Sequence, residues 1–314
     1  MTNALSLEES AYSGCRLCPR KCGADRTGGQ TGYCGADDKL RVARAALHYW
    51  EEPCLSGEKA PERGSGTVFF SGCSLRCRYC QNRDILSGRV GRVMSAHELA
   101  DTFLRLQEEG AYNINLVTAA HFLPHIAAAL SMVRGNGLQI PVVYNSGGYE
   151  RVEALRSLEG LIDVYLPDLK YLDSERAKRY SLAPDYPKTA TAAIAEMVRQ
   201  TGEPVFDEEG MMQKGVIVRH LALPGGREDS MSVLRYLHDT YADRILVSLM
   251  SQYTPVMPEE ELADYPELRR RLRRREYDRL VEYAIGLGME NVFIQEGKTA
   301  KESFIPPFPQ EDGQ

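Results

Sequence analysis

The 314-residue chain has no run of about 18 consecutive apolar residues, so no membrane-spanning helix is expected. Its first residues, Met-Thr-Asn-Ala-Leu-Ser-Leu-Glu-Glu-Ser, have neither a basic start nor an apolar stretch, and no secretory signal is read there. Positive charge is not in excess: 38 Lys+Arg stand against 44 Asp+Glu, a net charge of −6, which gives no support to general nucleic-acid binding. Low-complexity tracts and internal repeats are absent, and 43% hydrophobic with 26% charged residues excludes wholesale disorder. These absences predict a soluble, cytoplasmic protein without membrane association. No strand-like segment is followed by Gly-x-Gly-x-x-Gly, which removes the dinucleotide-binding reading. Finally, no cysteine lies beyond residue 80.

Beyond residue 65, strand-like and helix-like segments alternate. The strands are expected at Gly66–Gly72, Asn113–Thr118, Ile140–Asn145, Ile162–Lys170, Val216–Leu223 and Ile245–Ser251, with Asn291–Gln295 as a seventh. Helices are expected between them, one opened by the capping box Ser95/Glu98 and another over Lys188–Gln200. Such alternation implies a parallel sheet with crossover helices, and this many units in series favours a complete or partial barrel over an open sheet. The expected organisation is an N-terminal cysteine-rich segment over 1–60, a barrel over 61–300 and a tail over 301–314.

All eight cysteines lie between residues 15 and 80. Clustered Cys-x-x-Cys spacings in a cytosolic chain point to metal or redox chemistry rather than disulfides. Cys73-x3-Cys77-x2-Cys80 places three thiols within eight residues, just after the first barrel strand. A cubane [4Fe–4S] cluster takes one thiolate per iron, so three closely spaced thiolates leave one iron open, as catalytic metal sites do. The competing readings are an electron-transfer cluster or a zinc site completed by Cys54. The loop also lies at the strands' C-terminal end, where barrels place their chemistry.

Cys73-x3-Cys77-Arg78-Tyr79-Cys80-Gln81-Asn82, with an aromatic before the last cysteine, resembles the signature of the radical S-adenosylmethionine (SAM) superfamily, in particular the pyruvate formate-lyase activating enzyme branch. The resemblance runs over about residues 66–296. It implies an α/β fold, a partial (βα)6 TIM-type barrel of parallel strands, with a [4Fe–4S] cluster that chelates SAM through its open iron. It further implies reductive cleavage of SAM to a 5′-deoxyadenosyl radical that abstracts a hydrogen atom, an electron donor such as flavodoxin or ferredoxin, and a protein substrate of the glycyl radical enzyme type. Asp168 and Lys170, two apart on one strand, project to the same side. They are similar to an Asp-x-Lys that lies beside SAM in the activating enzymes. Val218-Arg219-His220, with Pro224-Gly225 beyond, resembles a stretch whose histidine helps bind SAM, although alternation lets only one of Arg219 and His220 point inward. Asn145 and Ser146, before Gly147-Gly148, resemble a ribose- or amino-acid-binding strand end. Where the superfamily commonly has Gly-Gly-Glu, this chain reads Thr118-Ala119-Ala120-His121, so Thr118 supplies a hydroxyl and the carboxylate is missing.

Cys15, Cys18, Cys22 and Cys34 supply four further thiols in a segment too small and Gly-rich for a core of its own. Closed tetrahedral zinc and a second iron–sulfur cluster both suit four thiolates. Either would let the segment brace the cluster face or grip a partner. Six arginines within Arg269–Arg275 read as a solvated helix face, with RNA docking as the alternative. The tail Phe304–Pro309 cannot be helical. A non-catalytic metal-binding barrel is the rival functional class.

Overall fold

The computed structural model describes residues 11–295 and Phe308. The chain order is β1 (Arg41–His48), α1 (Pro53–Ser56), β2 (Gly64–Phe70), β3 (Arg92–Val93), α2 (Ala96–Glu108), β4 (Ala111–Val117), α3 (Leu123–Val133), β5 (Val142–Ser146), α4 (Val152–Arg156) and β6 (Val164–Pro167). It continues α5 (Ser174–Ser181), α6 (Tyr186–Thr201), β7 (Val205–Phe206), β8 (Met212–Leu221), α7 (Arg227–Tyr241), β9 (Leu246–Met250), α8 (Arg274–Gly286) and β10 (Val292–Ile294). The sheet order is β10-β9-β8-β6-β5-β4-β2-β1-β3, with β7 pairing β8. From β2 to β10 every neighbouring pair along this path is parallel, whereas β1 is antiparallel to both β2 and β3. The expected barrel strands are therefore present, as a partial barrel that does not close between β10 and β1/β3. The final strand-like segment forms a short β10 at the sheet edge.

Local chemistry explains the boundaries. Glu98 N donates to Ser95 Oγ at 3.2 Å and Ser95 N to Glu98 Oε2 at 2.9 Å, the reciprocal bonds of a capping box. β2 and β4 are buried at every position, as strands covered on both faces must be. Helices α2, α3, α6 and α7 cover the outer face through residues such as Leu99, Phe103, Ile126, Ile194 and Leu234.

The lumen has its own filling. The connection between β1 and β2 enters the barrel from below, and Cys54 and Leu55 of α1 pack with Val143, Val164, Leu166, Ile217 and Leu246. Strand β1 and helix α1 are elements that the periodicity did not announce. Among the described residues, no helix is long and apolar enough to cross a membrane. The expected C-terminal tail lies outside the described residues apart from Phe308, whose ring meets Phe69 edge-on at 5.3 Å between centroids.

One buried acid yields a stability prediction. Burial at the β5–α4 turn raises the Glu150 carboxyl from 4.5 to about 8, against bonds from Tyr144 and Ser146 that pull it down. The folded chain thus holds this proton more tightly than the unfolded chain does. Its contribution is full below the unfolded value and is lost as pH climbs from about 4.5 towards 8. Glu150→Gln is expected to flatten this dependence. In denaturant titrations between these limits, the wild type should lose roughly 1 kcal/mol per pH unit relative to the variant.

Candidate functional site

The strand ends and the cysteine loop enclose a cavity of about 550 Å³. Cys73, Cys77 and Cys80 line it together with Thr118, Asn145, Ser146, Asp168 and Lys170. Five of the six residues expected to bind the cofactor are thereby brought beside the three thiols. Lys170 Nζ bonds Asp168 Oδ2, and both side chains are largely buried. Burial works against the Lys170 charge, but Asp168 and the neighbouring Cys77 outweigh it and hold the ammonium well above its usual range.

Backbone contacts shape the cysteine loop. Gly72 has φ +97°, and a Cβ there would meet the Cys34 carbonyl at 2.6 Å, so only glycine lets the chain turn this close. Cys73 N donates to that same carbonyl at 3.1 Å, and Arg78 N to Tyr180 O at 2.8 Å. Cys77 Sγ lies 3.0 Å from Ser181 Oγ. Tyr79, the aromatic of the motif, is buried edge-on against Tyr171, Tyr180 and Tyr253, and its oxygen accepts from Tyr171 OH at 2.6 Å. Gly148, with φ +76°, carries β5 past the end of β6; a Cβ there would strike Asp168 O at 2.1 Å.

Among the described residues all eight cysteines are free. Burial raises the Cys77 and Cys80 thiols, and their proximity to Cys73 raises both further. Three thiols that repel one another as thiolates, in a cavity holding Lys170, suit a multi-iron cation that binds all three deprotonated. Among the described residues no three His, Cys, Asp or Glu side chains converge on a single ion. A cubane does not require that, since each of its irons takes its own thiolate. Cys54 lies at the opposite end of the strands in the lumen floor, where burial raises its thiol to about 12. It does not stand as a fourth ligand.

Thr118 departs most from ordinary backbone. A β-branched residue at φ +60° is uncommon and strained by about 1–3 kcal/mol. It is held there by Thr118 N donating to Asn145 O at 2.9 Å. The position matches the place where glycine was expected, and its hydroxyl-bearing side chain lines the cavity.

His220 requires a correction. The structure does not bring it to the cavity: Nδ1 meets Leu169 O at 2.7 Å and Nε2 meets Ser230 Oγ at 2.9 Å. Both ring nitrogens are taken on the helix-facing side of β8, and burial depresses the imidazole pKa. Its neighbour Arg219 points into the lumen instead. Arg219 Nε donates to Glu52 Oε1 at 2.7 Å, and Nη2 reaches carboxylate oxygens of both Glu51 and Glu52. Sequence reasoning missed this group. Its only signal was the alternation that let one of Arg219 and His220 face inward.

The N-terminal cysteine segment lies against the loop. Arg20, between Cys18 and Cys22, donates to the carbonyls of Ser74 (2.8 Å), Leu75 (3.3 Å), Ser181 (3.1 Å) and Leu182 (2.5 Å). Arg26 is fully buried and binds Asp37 O and His121 O, while His121 Nε2 meets Ser71 O at 2.7 Å. Burial drops His121 to about 3, so this histidine is a neutral brace. Cys15, Cys18 and Cys34 are buried, and the Cys34 and Cys22 sulfurs both border Gly32, 3.3 and 3.5 Å from where a Cβ would stand. Farther away, the arginine run is solvated but is not a helix face: Arg270–Arg273 lie outside any helix and α8 begins only at Arg274, while Arg269, Arg270 and Arg274 face Glu259, Glu276 and Asp278.

Residues 67–208 match the family model described as the radical SAM superfamily. The chain is 26% identical over 296 residues to an uncharacterized protein of Methanocaldococcus jannaschii, covering 92% of this chain and 79% of that one. The fold is similar to that of a radical SAM methyltransferase from Sphaerobacter thermophilus (TM-score 0.51, 14% identity, 74% of this chain and 66% of that one). It is also similar to Streptococcus suis SuiB bound to S-adenosylmethionine (TM-score 0.49, 17% identity, 73% of this chain), of which it spans half the length.

Arg20 supplies the test of the brace. Arg20→Ala, and Arg20→Lys with one ammonium for a forked guanidinium, should each loosen the cysteine loop by about 2 kcal/mol. After reconstitution with iron and sulfide, both variants are expected to lose iron to a chelator several-fold faster than the wild type.

Proposed function

Residues 67–208 are a radical SAM superfamily domain, and from that premise we propose that this chain cleaves SAM reductively to start hydrogen-atom abstraction from a substrate. The observation that carries the reading is the single cavity shared by three free cysteines of one loop and the strand-end groups Thr118, Asn145, Asp168 and Lys170. Cys73, Cys77 and Cys80 would hold the [4Fe–4S] cluster. When bound and reduced, such a cluster supplies the electron that breaks the SAM sulfonium to methionine and a 5′-deoxyadenosyl radical. The protein's part is positioning. Lys170 offers a buried ammonium to the SAM carboxylate, with Asp168 fixing its direction. Asn145, Ser146 and Thr118 offer hydrogen bonds to the amino-acid and ribose groups. The aromatic packing around Tyr79 keeps water from the loop.

The finer reading, activation of a partner protein by abstraction from a backbone glycine, is supported by the Cys77-Arg-Tyr-Cys80-Gln-Asn wording. A second iron–sulfur cluster on Cys15, Cys18, Cys22 and Cys34, with one thiolate for each iron, fits the four-thiol composition of the segment and its docking on the loop; a single zinc ion does not, since no three such side chains converge among the described residues. Metal analysis of a Cys15→Ala/Cys22→Ala double variant should then find less iron per chain than in the reconstituted wild type.

After anaerobic reconstitution and reduction by dithionite, the wild type is expected to release 5′-deoxyadenosine from SAM. Cys73→Ala, Cys77→Ala and Cys80→Ala should release none. Lys170→Met should weaken SAM binding by about tenfold or more while retaining the cluster, because a charge-assisted contact is lost. A fully loaded wild type that forms no 5′-deoxyadenosine refutes the reading.

A further inference from the structure

We infer that the floor of the cavity around Glu51 is a subsite for a cationic group of the substrate, an alkylammonium or guanidinium. The inference rests on the radical SAM reading and names the substrate chemistry of that same cavity.

It starts from charge balance in the wall. Glu51, Glu52, Glu58 and Asp168 line the cavity, against the fixed cations Lys170 and Arg219. Asp168 is matched by Lys170. Glu52 takes both Nε and Nη2 of Arg219, at 2.7 and 2.5 Å, a two-point pairing that uses the guanidinium edge. Glu51 shares only Nη2, although its side chain is just 7% exposed. Among the described residues, two buried carboxylates therefore share one cation, a costly arrangement unless something completes it. His48, on the same wall, does not supply the charge, since burial lowers its pKa below 6.5.

A second observation concerns Asn115, fully buried in mid-β4. Its Nδ2 donates to Glu51 Oε1 at 3.2 Å and to Ser65 Oγ at 3.3 Å, while its Oδ1 has no partner among the described residues. The amide orientation is forced, because an ionised carboxylate only accepts and must face the NH2 group. Glu51 thus presents to the cavity a carboxylate that shares its cation, and Asn115, buried behind it, leaves an amide oxygen unpaired among the described residues. Both are acceptors: the Glu51 oxygens take Arg219 Nη2 and Asn115 Nδ2 but share their one cation with Glu52, and the amide oxygen has no donor among the described residues. A neutral hydroxyl would leave the charge imbalance at Glu51 in place; an alkylammonium or guanidinium removes it. Nor does SAM remove the imbalance, since its one net positive charge is offset by an oxidised cluster on three thiolates.

The test is calorimetric titration of the reconstituted, unreduced, SAM-loaded protein. N-acetyl-lysine amide is compared with N-acetyl-norleucine amide, and n-pentylammonium with 1-pentanol, so that the two arms separate a residue in a peptide from a free amine. At least one cation should bind about tenfold or more tightly than its neutral counterpart. Glu51→Gln should abolish that preference and leave SAM affinity unchanged. If this variant does not fold, Glu51→Asp replaces it, with the preference reduced several-fold. Equal binding of charged and neutral probes by the wild type overturns the proposal, as does a preference that survives in Glu51→Gln. A loss of SAM affinity in Glu51→Gln also overturns it, because the carboxylate then serves SAM. The probes are read without reduction, so failure to form 5′-deoxyadenosine would refute the radical reading separately.

Discussion

A parallel sheet that curls without closing leaves its concave face to be filled, and in this chain the filling comes from the segment between β1 and β2. Leu55 and Cys54 pack on Val143, Val164, Ile217 and Leu246 and seal the lower lumen. Because α1 enters there, the residues just before it, Glu51 and Glu52, are carried into the barrel as well. Two carboxylates at that depth require a cation, and Arg219 provides it. Burial alone would neutralise Glu52, but the guanidinium holds its carboxyl below the usual range. The floor, the charge layer above it and the inward choice of Arg219 over His220 thus follow from one filled gap.

At the other end of the strands the problem is reversed. The cysteine loop needs precise support, yet it is nearly devoid of regular structure. The N-terminal segment, itself too small for a core, docks on it and gains burial by doing so. Arg20 and Arg26 are the means: each satisfies carbonyls that would otherwise lie unpaired at the junction. Cluster loop and N-terminal cysteines therefore stand or loosen together.

Much of this was legible beforehand. The capping box at Ser95 and Glu98, the order of the barrel strands and the same-side placement of Asp168 and Lys170 all rest on local rules of period and pairing. What escaped rests on distant partners. β1 becomes a strand because β2 offers it an antiparallel edge. Ser181 reaches Cys77 only because α5 ends beside the loop. Thr118 keeps its left-handed backbone because the neighbouring strand holds its N–H.

By itself, the order of residues determined that three thiols lie in one short loop after a barrel strand and that the alternating elements form a parallel sheet. It also placed Asn145, Asp168 and Lys170 at strand ends, since all of these depend on spacing along the chain. Tertiary structure decided which face of β8 looks inward, where Cys54 resides, and that two glutamates share one arginine in the lumen. Those outcomes are set by competition for buried volume and for counter-charge among segments more than a hundred residues apart, as Glu52 and Arg219 are. No local pattern encodes such a competition.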